Sequence, residues 1–366
     1  MSFRRRFVYL VVGACHSRRA VLDVCHTPAA TFRLHRVNMS RFFYPQPPAA
    51  MPPPPPDASA MVDARLPRHT MSFYAPSSSS EEEHYDGRMQ FMLLGRDRVL
   101  ATDQTGRAAI YDAAAHATRT APAFTRPKND PVSVAVGDDA LYVLDTSARP
   151  EEPCFEALVY DRGGLRTGTW RTDYYDDWRC HPLPPRPFPG AYLDAVGAYT
   201  VVGGSDIWMS TKDGCTYSFD TARRAWAKQG DWTLPFQGLA EFVPEYNLWF
   251  GLSSTKNNHL CALDLAGAAK RQSSSPPAPR NVWEDLKPPK DWRPERSYLV
   301  HLGSGRFCVA RFFDKIDSDM DVRSTTVKAV FTGVEVKPCG KAGRGLQMIK
   351  HKSECYSLEE PFHWVL

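Results

Sequence analysis

The sequence predicts an all-β chain of propeller type, and three observations carry that expectation. The first is a hairpin pattern that recurs five times: an apolar strand, a Gly-containing or Pro-Glu turn, and a second apolar strand. It is read in MQFMLLGRDRVLATD from Met89, VSVAVGDDALYVLD from Val132, AVGAYTVVGGSDIWMS from Ala195, LAEFVPEYNLWFGL from Leu239 and YLVHLGSGRFCVARF from Tyr298. The second is a third strand that follows four of these hairpins and ends alike, in Ile110-Tyr111-Asp112, Val159-Tyr160-Asp161, Ser218-Phe219-Asp220 and Ala262-Leu263-Asp264. The third is spacing, because the copies start about 40 to 65 residues apart, the period of blades with three or four short strands.

Along the chain, residues 1–45 hold two strand candidates, FVYLVV from Phe7 and the alternating FRLHRVNM from Phe32. Residues 46–88 read as loop: five consecutive Pro at 52–56 cannot join a sheet, and SSSSEEE from Ser77 is a polar run. Residues 89–336 are the propeller proper, with chain reversals at Gly95, Gly137, Gly203-Gly204, Pro244-Glu245 and Gly303 to Gly305. The Asp that closes each third strand is read as a cap for the amides of the turn behind it. Arg162 to Pro189 and Lys270 to Arg293 are expected to be long connections on a propeller face. Residues 337–366 are a basic C-terminal segment, either solvated or part of the last blade. Five hairpins give five blades, and the N-terminal strands either supply a sixth or complete the last by pairing with AVFTGVEV near Phe331. Six is the expected number, within a range of five to seven.

Composition supports one large core. Of the 366 residues, 43% are hydrophobic and nine are Trp; each buried aromatic is worth at most about 4 to 6 kcal/mol by area. The net charge of +4 is unevenly spread, since residues 1–41 carry eight Arg against Asp23, for +7, and the remainder is then 4 − 7 = −3. A second basic stretch, Lys337, Lys341, Arg344, Lys350 and Lys352, lacks the interleaved aromatics of a nucleic-acid platform. Nucleic acid is therefore not the expected partner. The nine Cys are odd in number and include no Cys-x-x-Cys, and five of them (154, 180, 215, 261 and 308) fall in or beside predicted strands, which points to a reducing compartment, cytoplasmic or nuclear. An Arg-rich, acid-poor start leaves a transit peptide as the alternative. No run has the length of a membrane span.

Catalytic spacing is lacking. The chain contains no phosphate loop, no H-E-x-x-H, no G-x-S-x-G and no EF-hand loop, and its eleven His form no i, i+2 or i, i+4 pair. No catalytic residue, cofactor or metal is expected. The candidates for partner contact are Tyr174, Tyr175, Trp178 and Trp283, aromatics in the two long connections. Around the first three, Asp173, Asp176 and Asp177 make an acidic cluster read as a solvated loop.

Many fragments together resemble a cereal-grass family catalogued as domain of unknown function 1668. They include RRRFVYLVV, SRFFYP, LYVLD, CFEALVYD, WRCHPLPP, AVGAYTVVGG, YSFDTARRAW, GDWTLPF, AEFVPEYNLWFGLSS, WEDLKPPKDW and LVHLGSGRFCVARFF, and they cover most of Arg4 to Phe313. The family is similar to kelch-like propellers found beside F-boxes, so the resemblance implies that fold and brings no catalytic residues. Residues 13–31 depart from the pattern, interposed where the family runs almost directly between its first two strands. The function expected is a non-enzymatic protein-interaction module, a monomer whose loop-built face holds a protein or peptide. The alternatives are an enzyme using the central channel, as an oxidase or on glycans, and nucleic-acid binding through the basic termini.

Overall fold

The structure is a computed structural model and describes residues 5–14, 30–44, 61–76, 87–149, 152–167, 172–188, 196–212, 214–255, 258–267, 277–284, 286–315, 326–339, 345–360 and 362–366. Strands dominate it. β1 (Phe7–Ala14) pairs antiparallel with β2 (Thr31–Asn38) in unbroken register from Phe7↔Asn38 to Ala14↔Thr31, so both ends of the stretch read as interposed belong to strands. β3 (Met61–Asp63) and β4 (His69–Tyr74) follow; β4 continues the sheet beyond β2, while β3 lies parallel to a strand near the C-terminus. Both fall where a loop is expected from sequence: β3 is three residues long, and β4 is largely exposed, so neither carries an apolar signal.

Four antiparallel meanders come next. They are β5 to β8 (Met89–Leu94, Arg98–Asp103, Ala108–Asp112, Ala117–Ala121), β9 to β12 (Pro131–Ala135, Ala140–Asp145, Phe155–Thr167, Thr172–Pro182), β13 to β16 (Val196–Val202, Asp206–Thr211, Thr216–Asp220, Ala225–Gly230) and β17 to β20 (Phe236–Val243, Leu248–Ser253, Leu260–Leu263, Asn281–Trp283). The last meander is β21 (Trp292–Gly303), β22 (Arg306–Lys315), β23 (Thr326–Cys339) and β24 (Gly345–Leu358), with β3 on its edge. AVFTGVEV is thus an inner part of this meander. β25 (Phe362–Val365) returns to pair with β1, making the four-stranded order β25-β1-β2-β4 from both ends of the chain.

The second strand of each meander explains why those segments read as apolar without a break. In β22, Phe307 and Val309 face one neighbouring sheet while Cys308, Ala310 and Phe312 face the other. The same division separates Leu141 and Val143 from Tyr142 and Leu144 in β10, and Ile207 and Met209 from Trp208 in β14. A strand covered on both faces needs apolar residues at every position. The apolar clusters run in chain order from β5–β8 to β9–β12, then to β13–β16, β17–β20 and β21–β24. The sheet made from both termini packs on β5–β8 through Tyr9, Val11, Phe32 and Phe91, and on β21–β24 through Val8, Leu10, Val12, Phe312 and Phe331. First strands lie side by side, and β13 pairs with β17 in parallel from Ala198↔Gly238 to Thr200↔Ala240.

Turn chemistry repeats as well. Asp112 accepts from the amides of Ala114 and Ala115, and Asp220 from those of Ala222 and Arg223, with His116 and Arg224 both in the left-handed region four residues beyond the Asp. Asp264 accepts from the Gly267 amide. Asp161 differs, because β11 runs on past it and its carboxylate meets Arg179 at 3.0 Å across the β11–β12 pair.

Candidate functional site

Of the aromatics singled out in the sequence, Trp178 requires correction. The connection from Arg162 to Pro189 holds the outer part of β11 and all of β12, a long hairpin bulged between Asp161 and Gly164 in which Trp178 sits opposite Tyr160. Its ring is 2% exposed, wedged among Met92, Leu100, Leu141 and Leu158 with the Arg98 guanidinium 5.2 Å above it. A residue enclosed in this way is a core wedge and has no free face for a partner. Aromatic content alone does not distinguish the two roles, because both need a large flat side chain. Trp283, on the outermost strand β20, is half-buried and lies parallel to Phe250 at 6.3 Å. The backbones of Tyr174 and Tyr175 pair with Leu165 and Gly164, while their side chains lie outside the described residues. β10 pairs with β11 only as far as Val159, so the stretch bearing the two tyrosines is a two-stranded ribbon extending beyond the sheet.

Of the acidic cluster nearby, Asp177 is paired with Arg119 of β8, while the side chain of Asp173 lies outside the described residues. Several basic residues of the two ends are similarly engaged. Arg33 meets Glu360 at 2.9 Å, Arg41 meets Glu354 at 2.6 Å, Lys337 meets Glu335 at 2.9 Å, and the Arg36 guanidinium lies 3.8 Å from the Phe7 ring centre.

Where first strands adjoin, polar side chains from several sheets meet. Trp364 Nε1 donates to Gln90 Oε1 at 3.2 Å, and Gln90 Nε2 donates to the Asn129 carbonyl at 2.6 Å, joining β25, β5 and the approach to β9. The Tyr298 hydroxyl donates to the His363 carbonyl at 3.2 Å and lies 3.5 Å from Arg296 Nη1. Burial pushes the Tyr298 phenol up. Tyr199 from β13 is pushed up by burial and by the charges of Tyr298 and Asp130. Arg296 is raised, first by Tyr298 and also by Glu295 and Asp130, against the effect of burial. Both phenols stay protonated at neutral pH, and that of Tyr298 acts as a hydrogen-bond donor. The buried thiols also stay neutral: burial pushes Cys180 and Cys261 to about 12 and Cys355 to about 11. A thiol in that state is a poor nucleophile.

A cavity of about 460 Å³ opens where β1, β2 and β4 meet the end of β24. Residues between β3 and β4 border it at Leu66, and Arg33, His35, His69, Ser357, Glu359 and Glu360 supply its polar lining. His35 and His69 are paired across β2 and β4, their ring centres 6.1 Å apart. His35 Nδ1 lies 2.7 Å from the Pro67 carbonyl oxygen, which can only accept, so this nitrogen carries the proton. Sequence spacing missed this pair because the two residues are 34 positions apart and only strand pairing joins them. Among the described residues no group of three His, Cys, Asp or Glu side chains is arranged to enclose a metal ion.

Several small antiparallel sheets packed side by side, with polar side chains where their first strands adjoin, make this an all-β chain whose arrangement is consistent with a propeller-like fold. The chain belongs to the family described as Protein of unknown function (DUF1668), whose model matches residues 5–356. Among solved structures it is similar to an auxiliary nutrient binding protein from Bacteroides ovatus, at 11% identity and a TM-score of 0.36, covering 66% of this chain and 54% of that one. The chain thus spans about half the length of that protein. It is also similar to a structural genomics protein of unknown function from Bacteroides thetaiotaomicron, at 8% identity and a TM-score of 0.37, covering 79% and 80% of the two chains. No curated protein matches it. Among the described residues no helix is long and apolar enough to cross a membrane.

Proposed function

We propose that this chain is a six-bladed, kelch-like propeller that serves as a recognition module for a protein or peptide and catalyses no reaction of its own. The observation that carries the reading is the run of apolar seams from sheet to sheet, with the sheet built from both termini packed against β5–β8 on one side and β21–β24 on the other. Sheet faces engaged with one another leave the connections, the overhanging ribbons and the polar centre as the surfaces for a ligand. Support also comes from the protonated phenols and thiols, whose shifts run away from reactivity. The free cysteines Cys154, Cys180, Cys215, Cys261, Cys308, Cys339 and Cys355 fit a reducing compartment, cytoplasmic or nuclear.

On this reading the β11–β12 ribbon is the contact element, with Tyr174 and Tyr175 as anchors and Trp283 as a further contact on β20. The test is affinity purification from native tissue, followed by reconstitution of the recovered partner with the purified chain. Replacing Tyr174 and Tyr175 together by Ala is expected to weaken that reconstituted binding at least about tenfold while leaving the melting temperature unchanged. Turnover of a defined substrate by the purified chain, or a reconstituted complex indifferent to the double variant, overturns the reading.

A further inference from the structure

The cavity beside β2 and β4 offers a chemistry that recognition of a protein does not require. We propose that His35 and His69 form a two-imidazole site for a divalent transition-metal ion, with solvent completing its coordination. The proposal is independent of the partner-binding role and rests on four observations.

His35 is 8% exposed, yet it lines the cavity, and with Nδ1–H donated to the Pro67 carbonyl its Nε2 keeps the lone pair. An imidazole whose second nitrogen is held by a carbonyl is the arrangement found around bound metals, because that bond fixes both tautomer and ring orientation. His69 faces it from the adjacent strand. An ion about 2.0–2.1 Å from each nitrogen lies about 3.2 Å from each ring centre, so tetrahedral coordination places two imidazole centres about 5 Å apart, and about 6.4 Å is the limit at which they oppose each other across the ion. The observed separation is 6.1 Å, and rotation of the exposed His69 ring brings the two closer.

Charge selects a cation over an anion. The ionised groups of the lining are Arg33, Glu359 and Glu360, and Arg33 is already paired with Glu360, which leaves one carboxylate in excess. Two neutral imidazoles with water suit a borderline-soft ion such as Zn²⁺ or Co²⁺ better than Mg²⁺ or Ca²⁺, which favour oxygen ligands alone. The cavity is also roomy enough for the waters that an open coordination sphere needs.

The test is titration of the full-length chain with Co²⁺ at about pH 7.5, read by visible absorption. One equivalent is expected to bind with the d–d bands of nitrogen and oxygen ligands and without the charge-transfer band of a thiolate. His69→Ala removes an exposed side chain and is expected to lower the affinity at least about tenfold, while His116→Ala on β7–β8 leaves it unchanged. Protons compete with the metal for the same nitrogens, so acidification to about pH 5.5 is expected to weaken binding. His35→Gln, with circular dichroism to establish folding, gives the second arm and the same loss. No absorption change, a thiolate band, or affinity retained in His69→Ala overturns the proposal.

Discussion

Lys128 and Glu156 are both fully buried, and no pattern in the residues around either one announces them as partners. Burial alone would raise the Glu156 carboxyl, but Lys128 and the Thr125 amide and hydroxyl outweigh it and hold the group below its ordinary range. Breaking one side of such a pair leaves a stranded charge. Lys128→Met is expected to cost about 3–5 kcal/mol in urea unfolding, whereas Lys128→Met with Glu156→Leu restores most of the loss. His351 provides a second test. Its Nδ1 accepts from the Tyr44 amide at 3.2 Å, and its Nε2 faces Glu335, which also meets Arg306 and Lys337. Burial lowers its pKa below 6.5 despite the opposing pull of Glu335. With the folded value depressed, the unfolded chain binds more protons below about pH 6.5, so the stabilisation is present above that pH and is lost as pH falls further. The melting temperature is expected to drop between about pH 7 and pH 5, and His351→Gln is expected to flatten that drop. His35, also lowered chiefly by burial, adds to the same trend.

At the level of the element, legibility followed locality. The hairpins from Met89, Val132, Ala195, Leu239 and Tyr298 became β5–β6, β9–β10, β13–β14, β17–β18 and β21–β22, because alternation, turn residues and strand length all act over a few positions. β3 was illegible at three residues, and β11–β12 was masked by Gly163-Gly164 and by consecutive charges that read as loop. One turn position can be tested directly. Gly305, between β21 and β22, has φ +68°, and a Cβ there would lie 2.6 Å from the Val336 carbonyl oxygen and 2.3 Å from the Tyr246 hydroxyl. Since the first of these atoms is backbone within a paired strand, it cannot swing away. Gly305→Ala is expected to destabilise by at least about 2 kcal/mol in thermal unfolding, through strain at positive φ and the clash together.

For the molecule as a whole, the decisive junction is the sheet that draws β25 from one end of the chain and β1, β2 and β4 from the other. β25 pairs with β1 from Leu10↔Val365 to Gly13↔Phe362, and Trp364 packs against Phe32 and Phe91 of two sheets. Removing residues 362–366 is expected to bare the β1 edge and part the seam beside β5, lowering the urea midpoint and increasing aggregation in light scattering. Residue order alone determined that this chain would be strands, where most of them reverse, and which carry apolar residues on both faces, because those properties are set by neighbours in the chain. It also determined that Asp112 and Asp220 would cap their turns. Only the tertiary structure decided that Trp178 is a wedge between sheets, that Lys128 finds Glu156, and that His35 faces His69. Those outcomes depend on which distant strands become neighbours, and that is settled by the packing of whole sheets against one another.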